Sequence, residues 1–198
     1  NRRMKNVLYL SYDGMTDPLG QSQVLPYLIG LSKKGFQFTL ISFEKSDRYS
    51  QEKSKIEILC IEHNIHWKPL VYTKNPPVLS TILDIRRMHK TAFELHREKQ
   101  FQLVHCRSYI SALVGLKLKQ QKGVKLLFDM RGFWADERVE GKIWNLKNPL
   151  FKVIYSYFKK KERRYLEESD AIVSLTEIGK KEILSWNLKG ITPEKIRV

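Results

Sequence analysis

Cysteine is scarce in this chain, which has only two, Cys60 and Cys106, among its 198 residues. Neither has neighbours at metal-ligand spacing, and two thiols are too few for the framework of a disulfide-stabilised domain. Cys60 falls on a predicted helix and Cys106 in a predicted strand. We therefore expect two reduced thiols in the core of a cytosolic protein, and no metal site.

Long apolar segments are missing as well. No run approaches the roughly 20 apolar residues that a helix needs to cross a bilayer. We expect a cytoplasmic protein that is soluble or lies peripherally on the inner face of a membrane. A chain of 198 residues can bury roughly 70% of its unfolded surface, so the core needs no covalent or metal staple.

Acidic residues are few compared with basic ones: 21 Asp and Glu stand against 36 Lys and Arg, for a formal charge of +15. Such an excess favours nucleic acid, anionic lipid or a phosphorylated substrate, although lysines on solvated helix faces produce the same total. The basic residues are spread over many elements. We therefore expect no nucleic-acid partner, and we keep a basic nucleic-acid- or nucleotide-binding Rossmann-like domain without transferase activity as the alternative.

Strand and helix patterns alternate along the chain. The predicted strands are 6–10, 36–43, 65–72, 101–106, 124–129 and 171–174, with another beginning within 191–198. The predicted helices run from Gln21 or Ser22 to Gly35, then over 49–63, 79–98, 109–118, a region within 147–168, and 177–186. This order predicts an α/β fold with a doubly wound, mostly parallel Rossmann-like sheet and helices on both faces.

A polar, glycine-bearing loop at residues 12–23 joins the first predicted strand to the first predicted helix. If the helix begins near Gln21 or Ser22, its free amides and its dipole suit a phosphate. The loop lacks the G-x-G-x-x-G spacing of dinucleotide folds, although Glu44 lies where a ribose-binding acid would, at the end of the second strand. No segment matches the G-x-x-x-x-G-K-[ST] pattern of a P-loop.

Three loops should meet at the carboxyl edge of the sheet, where strand order reverses. They carry Arg107 and Arg131, which can grip a phosphate or carboxylate, and Trp134, which offers an apolar face. The carboxylates that can accept sugar hydroxyls are Asp13, Asp17 and Asp129. His105 is predicted to be a core residue, and His63 and His66 have no assigned function.

The region 147–168 predicts an amphipathic helix with Phe151 and Phe158 on its apolar side and a basic stretch from Lys159 to Arg164. Basic residues beside aromatic ones are typical of helices that lie on an anionic membrane surface. The alternative is a helix packed on the core whose charged end is merely solvated.

Four segments resemble the N-terminal domain of family 4 glycosyltransferases of the GT-B fold: DPLGQSQV at 17–24, LSKKGFQFTL at 31–40, FDMRGFW at 128–134 and SDAIVS at 169–174. The resemblance places Gly20 and Gln21 beside the donor diphosphate and the acceptor. Leu19-Gly20 replaces the paired glycines of the family, and Arg131 stands where many members carry a histidine. It implies acceptor positioning or phosphate contact for Arg131, which we take as the catalytic candidate.

The same resemblance implies a retaining, metal-independent enzyme of polysaccharide biosynthesis, without a cofactor. Its substrates would be a nucleotide sugar and a glycan or lipid-linked acceptor. Residues 1–190 would form the acceptor-side domain, and 191–198 would begin the crossover to a donor-binding domain absent from this chain. We therefore expect the isolated chain to be inactive.

Overall fold

The computed structural model describes residues 5–198 and contains, within that range, one sheet of seven strands with seven α-helices. The strands are β1 (Lys5–Ser11), β2 (Phe36–Glu44), β3 (His66–Val71), β4 (Leu103–Arg107), β5 (Lys125–Asp129), β6 (Ala171–Val173) and β7 (Ile196–Arg197). The helices are α1 (Leu25–Ser32), α2 (Ser46–Glu62), α3 (Leu79–Lys99), α4 (Ser108–Lys122), α5 (Trp134–Glu140), α6 (Pro149–Glu168) and α7 (Glu177–Ser185). A π-helical segment, Gly20–Val24, precedes α1.

The sheet has the strand order β3-β2-β1-β4-β5-β6-β7, and every pairing is parallel. Strand order reverses between β1 and β4, where Ser11 is in register with Arg107. On the next strand, Arg107 is in register with Asp129. The carboxyl ends of β1, β4 and β5 therefore meet at one edge, which is where doubly wound sheets bind ligands.

Alternate residues of β1 divide the core between the two faces of the sheet. Val7 and Tyr9 pack with the buried residues of α1 and α2. Leu8 and Leu10 pack with those of α3, α4 and α6 on the other face. Because a central parallel strand is covered on both sides, its sequence is a continuous run of apolar residues. The predicted fold class is confirmed.

Helix α4 packs closely on the sheet at Gly115. A Cβ atom there would lie 2.1 Å from Cys106 Sγ. The thiol of Cys106 is buried, and burial raises its pKa. Cys60 is also buried, and burial raises its pKa to about 12. Both thiols are therefore free core side chains that stay protonated at neutral pH.

Several predicted boundaries are wrong. The backbone is already helical at Pro18, so the first helix does not begin at Gln21 or Ser22. Proline fits a first helical position because its missing N–H would have no partner there. Helix α5 was not predicted, since its seven residues are too few for a clear apolar period. The strand expected to begin within 191–198 is present, since Ile196–Arg197 pair with β6; the assignment of 191–198 to a crossover stays a prediction.

Candidate functional site

The loop after β1 is held by a single carboxylate, that of Glu44 at the end of β2. This side chain is buried, and it accepts hydrogen bonds from the backbone N–H groups of Met15 (3.0 Å) and Thr16 (2.9 Å). The hydroxyls of Thr16 (2.7 Å) and Ser42 (2.5 Å) also donate to it. Glu44 is therefore saturated by the protein itself, and the ribose-binding alternative is wrong because no lone pair faces an open site.

Close backbone packing fixes the second half of this loop. Gly20 is buried, and a Cβ atom on it would lie 2.2 Å from the carbonyl oxygen of Gly14 and 2.7 Å from Met15 Cα. Only glycine fits at such a distance. The structure thus gives Gly20 a packing role between two backbone segments; its predicted approach to a diphosphate stays a prediction.

Asp17 and Gln21 lie on the side of the loop that faces β2 and α2. The carboxylate of Asp17 pairs with Lys45 Nζ at 3.2 Å. The amide of Gln21 donates to the Thr16 carbonyl (3.2 Å) and accepts from Lys55 Nζ (3.0 Å). Neither side chain lines the large cleft described next. The backbone N–H of Gln21 bonds the Asp17 carbonyl at 3.1 Å, so it is not a free amide for a phosphate.

A cleft of about 1090 Å³ opens at the carboxyl edge of the sheet and extends between α3, α4 and α6. Three of the predicted site residues line it: Arg107 from the end of β4, Arg131 from the loop after β5, and Trp134 from the start of α5. Asp13 from the loop after β1 lines it as well. The structure thus brings together residues from the three predicted loops.

Arg107 is almost fully buried, with its side chain 5% exposed. Its Nε donates to Asp13 Oδ2 at 3.1 Å, and its Nη2 donates to Gln23 Oε1 at 2.9 Å. The remaining nitrogen, Nη1, is buried and has no hydrogen-bond partner. Because a buried donor without a partner costs about 1–3 kcal/mol, this nitrogen is a candidate contact for an anionic ligand.

Asp129 connects His105 to Arg131 behind the cleft. Its Oδ2 lies 3.0 Å from His105 Nε2, and its Oδ1 lies 3.2 Å from Arg131 Nε. The second contact is an ion pair without hydrogen-bond geometry, because both atoms remain unpartnered by that criterion. With its side chain only 6% exposed, Asp129 holds Arg131 rather than offering a carboxylate to solvent. His105 is a buried core residue, as predicted.

Strained backbone surrounds these side chains. Ser108 follows Arg107 with a φ of 65°, and Arg131 and Gly132 have φ values of 52° and 84°. Residues other than glycine adopt such positive φ values rarely, and the strain they carry is concentrated at functional sites. Among residues 5–198, three of the four buried side-chain atoms without a partner belong to Arg107, Asp129 and Arg131. Strain and unmet bonding capacity therefore coincide at one place.

Trp134 packs into an aromatic group, so its face is only partly available to a ligand. Its ring lies 4.9 Å from that of Phe158 and 5.3 Å from that of Trp144, measured between centroids. The guanidinium of Arg138 stacks over it at 4.7 Å. The sequence analysis missed Arg138 because α5 was not predicted; with the helix known, the spacing of four residues would have indicated the pair.

The cleft is strongly basic. Seven Lys or Arg side chains line it, and Asp13 is the one carboxylate among its lining residues. No group of three or more His, Cys, Asp or Glu side chains within 5–198 is arranged to hold a metal ion. In the same range, no helix is both long and apolar enough to cross a membrane. What the arrangement can do chemically is bind an anion at Arg107 and Arg131.

A known protein family shares most of this sequence. The model of the family described as Glycosyltransferase Family 4 matches residues 23–198. The match includes Arg107, Asp129, Arg131 and Trp134, and it begins just after Gly20 and Gln21. None of the curated proteins compared with the sequence matches it.

Solved structures share the fold at low sequence identity. Sucrose-phosphate synthase from Thermosynechococcus elongatus has a TM-score of 0.63 and 14% identity, over 98% of this chain and 47% of its own. UDP-N-acetylglucosamine 2-epimerase from Rickettsia bellii has a TM-score of 0.59 and 14% identity, over 98% of this chain and 44% of its own. Arabidopsis thaliana UGT89C1, complexed with UDP-L-rhamnose, has a TM-score of 0.56 and 13% identity, over 98% of this chain and 51% of its own. The chain therefore spans about half the length of the structures it matches.

Proposed function

Because this chain belongs to glycosyltransferase family 4, we propose that it is the acceptor-side domain of a retaining glycosyltransferase. The enzyme would transfer a sugar from a nucleotide sugar to a glycan or lipid-linked acceptor. The observation that carries the proposal is the pair of arginines at the switch point of the sheet: Arg107 has a buried nitrogen without a hydrogen-bond partner, and Arg131 is held by an ion pair with Asp129 alone. A phosphate oxygen is the ligand that such a pair recognises best.

Phosphate chemistry explains why two arginines are useful here. When a sugar leaves its nucleoside diphosphate, negative charge develops on the leaving phosphate oxygen. Donors that are already oriented stabilise this charge without reorganising during the reaction. Arg107 is held by Asp13 and Gln23, and Arg131 is held by Asp129. Both guanidinium groups are therefore oriented before any ligand binds.

A second domain would supply most of the donor site. The support is the coverage of the related structures, of which this chain spans 44–51% in the three compared above. UGT89C1 is complexed with UDP-L-rhamnose, which makes a UDP-sugar the first donor class to test. On this proposal no cofactor or metal takes part, and the chain alone binds an acceptor without turning it over.

Replacing Arg131 tests the proposal. In the complete enzyme, we expect Arg131→Ala to lower kcat/KM for sugar transfer at least about tenfold, because a charge-assisted contact contributes about 1.5–3 kcal/mol. Arg131→Lys should recover only part of the loss, since an ammonium lacks the planar fork. The measurement is initial-rate kinetics with a panel of nucleotide sugars.

Arg48→Ala is the matched control, because Arg48 is an exposed arginine of α2. It should leave kcat/KM unchanged. If Arg131→Ala instead lowers the melting temperature by several degrees with unchanged kinetics, Arg131 is a structural residue and the proposed role fails.

A further inference from the structure

Away from the arginines, the cleft becomes an apolar groove. Its floor and walls come from α3, α4 and α6 and include Ile85, Ile110, Leu113, Val114, Ile154 and Phe158. Ile110, Val114 and Phe158 are buried core residues, so this part of the groove is a fixed surface of the folded domain. It is continuous with the end of the cleft that holds Arg107 and Arg131.

The mouth of the groove also exposes large apolar side chains. Ile82 of α3 is 41% exposed, Ile143 of the segment before α6 is 58% exposed, and Val153 and Tyr157 of α6 are 67% and 46% exposed. All four line the same opening. Single exposed apolar residues are ordinary, but several around one concavity mark a surface that binds an apolar partner.

Cations without counter-charges surround this apolar surface. Lys74, Arg86, Lys117, Arg138 and Lys161 line the groove. Within residues 5–198, no carboxylate lies within 4.0 Å of any of the five, since none takes part in an ion pair of that length. Burial and the neighbouring Arg164 and Lys117 lower the pKa of Lys161. Asp13 is the one carboxylate among the residues that line the cleft, so a ligand would supply the negative charge for these five cations.

We propose that the groove binds the hydrocarbon chain of a lipid phosphate or diphosphate, whose headgroup contacts the unpaired cations that line the groove and leaves Arg107 and Arg131 to the donor. This inference rests on the proposed function and names the acceptor class. A water-soluble glycan would require polar walls for its hydroxyls, which Ile85, Leu113 and Ile154 do not provide. A lipid that carries a phosphate matches both the apolar wall and the cationic rim.

Binding of three probes to the protein tests the inference. They are geranylgeranyl diphosphate below its micelle concentration, inorganic diphosphate as the headgroup alone, and geranylgeraniol as the chain alone. Quenching of the tryptophans that line the cleft, Trp134 and Trp144, reports binding. We expect geranylgeranyl diphosphate to bind at least tenfold more tightly than either partial probe.

Charged substitutions at the mouth of the groove test where the hydrocarbon chain of the probe binds. Val153→Glu and Ile82→Glu should each weaken the binding of geranylgeranyl diphosphate at least tenfold while leaving the binding of inorganic diphosphate unchanged. Both positions are exposed, so the fold should tolerate them, which circular dichroism checks. Ile178→Glu is the matched control, because Ile178 is 80% exposed on α7 and does not line the groove; it should leave all three affinities unchanged.

Equal affinity for geranylgeranyl diphosphate and inorganic diphosphate would overturn the groove assignment, and so would binding that Val153→Glu does not weaken. Loss of lipid binding in a longer form of the protein would also overturn it, because a segment outside these residues would then fill the groove. The proposed function is tested separately. Sugar transfer to a water-soluble acceptor without lipid binding refutes only the groove, whereas lipid binding without sugar transfer refutes only the transferase role.

Discussion

Arg107 and Arg131 differ in how much of each guanidinium group the protein itself uses. Arg107 makes two hydrogen bonds and keeps one buried nitrogen free. Arg131 makes a single ion pair, and its side chain is 27% exposed. Both guanidinium groups are therefore held before a ligand enters the cleft, Arg107 by more contacts than Arg131.

Two glycines at either end of one helical segment allow a direct stability prediction. Gly20→Ala should destabilise the protein by about 2–3 kcal/mol, because the added Cβ would overlap backbone atoms that cannot rotate away. For a chain of this size, that loss lowers the melting temperature by roughly 5–10 °C. Thermal unfolding followed by circular dichroism gives the measurement.

Gly30→Ala is the control within α1. A Cβ atom at Gly30 meets no atom within 4 Å, and the position is exposed. We expect it to stabilise the protein by about 0.5–1 kcal/mol, because alanine loses less backbone entropy on folding than glycine. A neutral effect of Gly20→Ala would contradict the packing role assigned to that glycine.

At the residue scale, the sequence predicted which loops line the cleft but not which contacts each side chain makes. Arg107, Arg131 and Trp134 follow strands that are apolar enough to recognise, so their convergence could be predicted. Glu44 could not be interpreted correctly, because its partners are backbone N–H groups of a loop 28 and 29 residues away. The positive φ values of Ser108 and Arg131 also leave no mark on residue type.

At the scale of elements, a partly buried polar cluster ties α4, α5 and α6 together. Lys159 Nζ donates to Asp136 Oδ2 at 2.8 Å and to Glu162 Oε1 at 2.6 Å. The hydroxyl of Tyr109 donates to Glu162 as well. Because α4 and α6 form two walls of the groove, the cluster links those walls to each other.

Glu162 should make stability depend on pH. Burial raises the pKa of Glu162 above its ordinary value of 4.5, although hydrogen bonds from Lys159 and Tyr109 oppose the shift. The folded state therefore binds its proton more tightly than the unfolded state does. This contribution to stability is complete below about pH 4.5 and is lost as the pH rises through the folded-state pKa.

Replacing the carboxyl group isolates this effect. The free energy of unfolding of Glu162→Gln, relative to the unchanged protein, should become more favourable as the pH rises from 4 to 8. Each unit of pKa shift corresponds to about 1.4 kcal/mol. Urea unfolding at a series of pH values measures the difference, with the exposed Glu167→Gln on the same helix as the control. A difference that stays constant with pH would show that Glu162 does not titrate in this window.

Element order was predictable because each strand is a short apolar run between polar helices. Helix α5 was not, since its seven residues include four charged ones. The amphipathic helix at 147–168 was predicted correctly, and the structure places it at Pro149–Glu168. Its aromatic side chains differ in burial. Phe158 is buried, as expected of a helix packed on the core, whereas Tyr157 is exposed. The burial of each face depends on long-range contacts that the helical period alone does not specify.

At the scale of the whole molecule, the excess of 15 positive charges is spread over several surfaces. Basic residues are exposed on α2 and on the turn after α1, which lie away from the cleft, as well as on α6. On α6, however, Lys160 and Arg163 share an exposed surface with Val153 and Tyr157. Apolar and cationic side chains together are what an interfacial helix uses on an anionic leaflet.

Vesicle binding tests this membrane surface by comparing two variants of equal charge. Lys160→Glu with Arg163→Glu, on α6, and Lys33→Glu with Lys34→Glu, on the turn after α1, each lower the net charge by four. Each basic residue near an anionic surface contributes about 1 kcal/mol. We therefore expect the α6 variant to bind vesicles containing anionic lipid at least roughly tenfold more weakly, while the control loses much less.

Co-flotation with anionic and with neutral vesicles, at low and high salt, gives the measurement. Binding of the unchanged protein should be weak, should require anionic lipid and should fall as salt screens the charges. An equal loss in the two variants would show that total charge, rather than the surface of α6, drives the association. Equal recovery with neutral and anionic vesicles would remove the membrane role of α6. Lipid binding in the groove would still be measured with the soluble probes, because Val153→Glu and Ile82→Glu test it without vesicles.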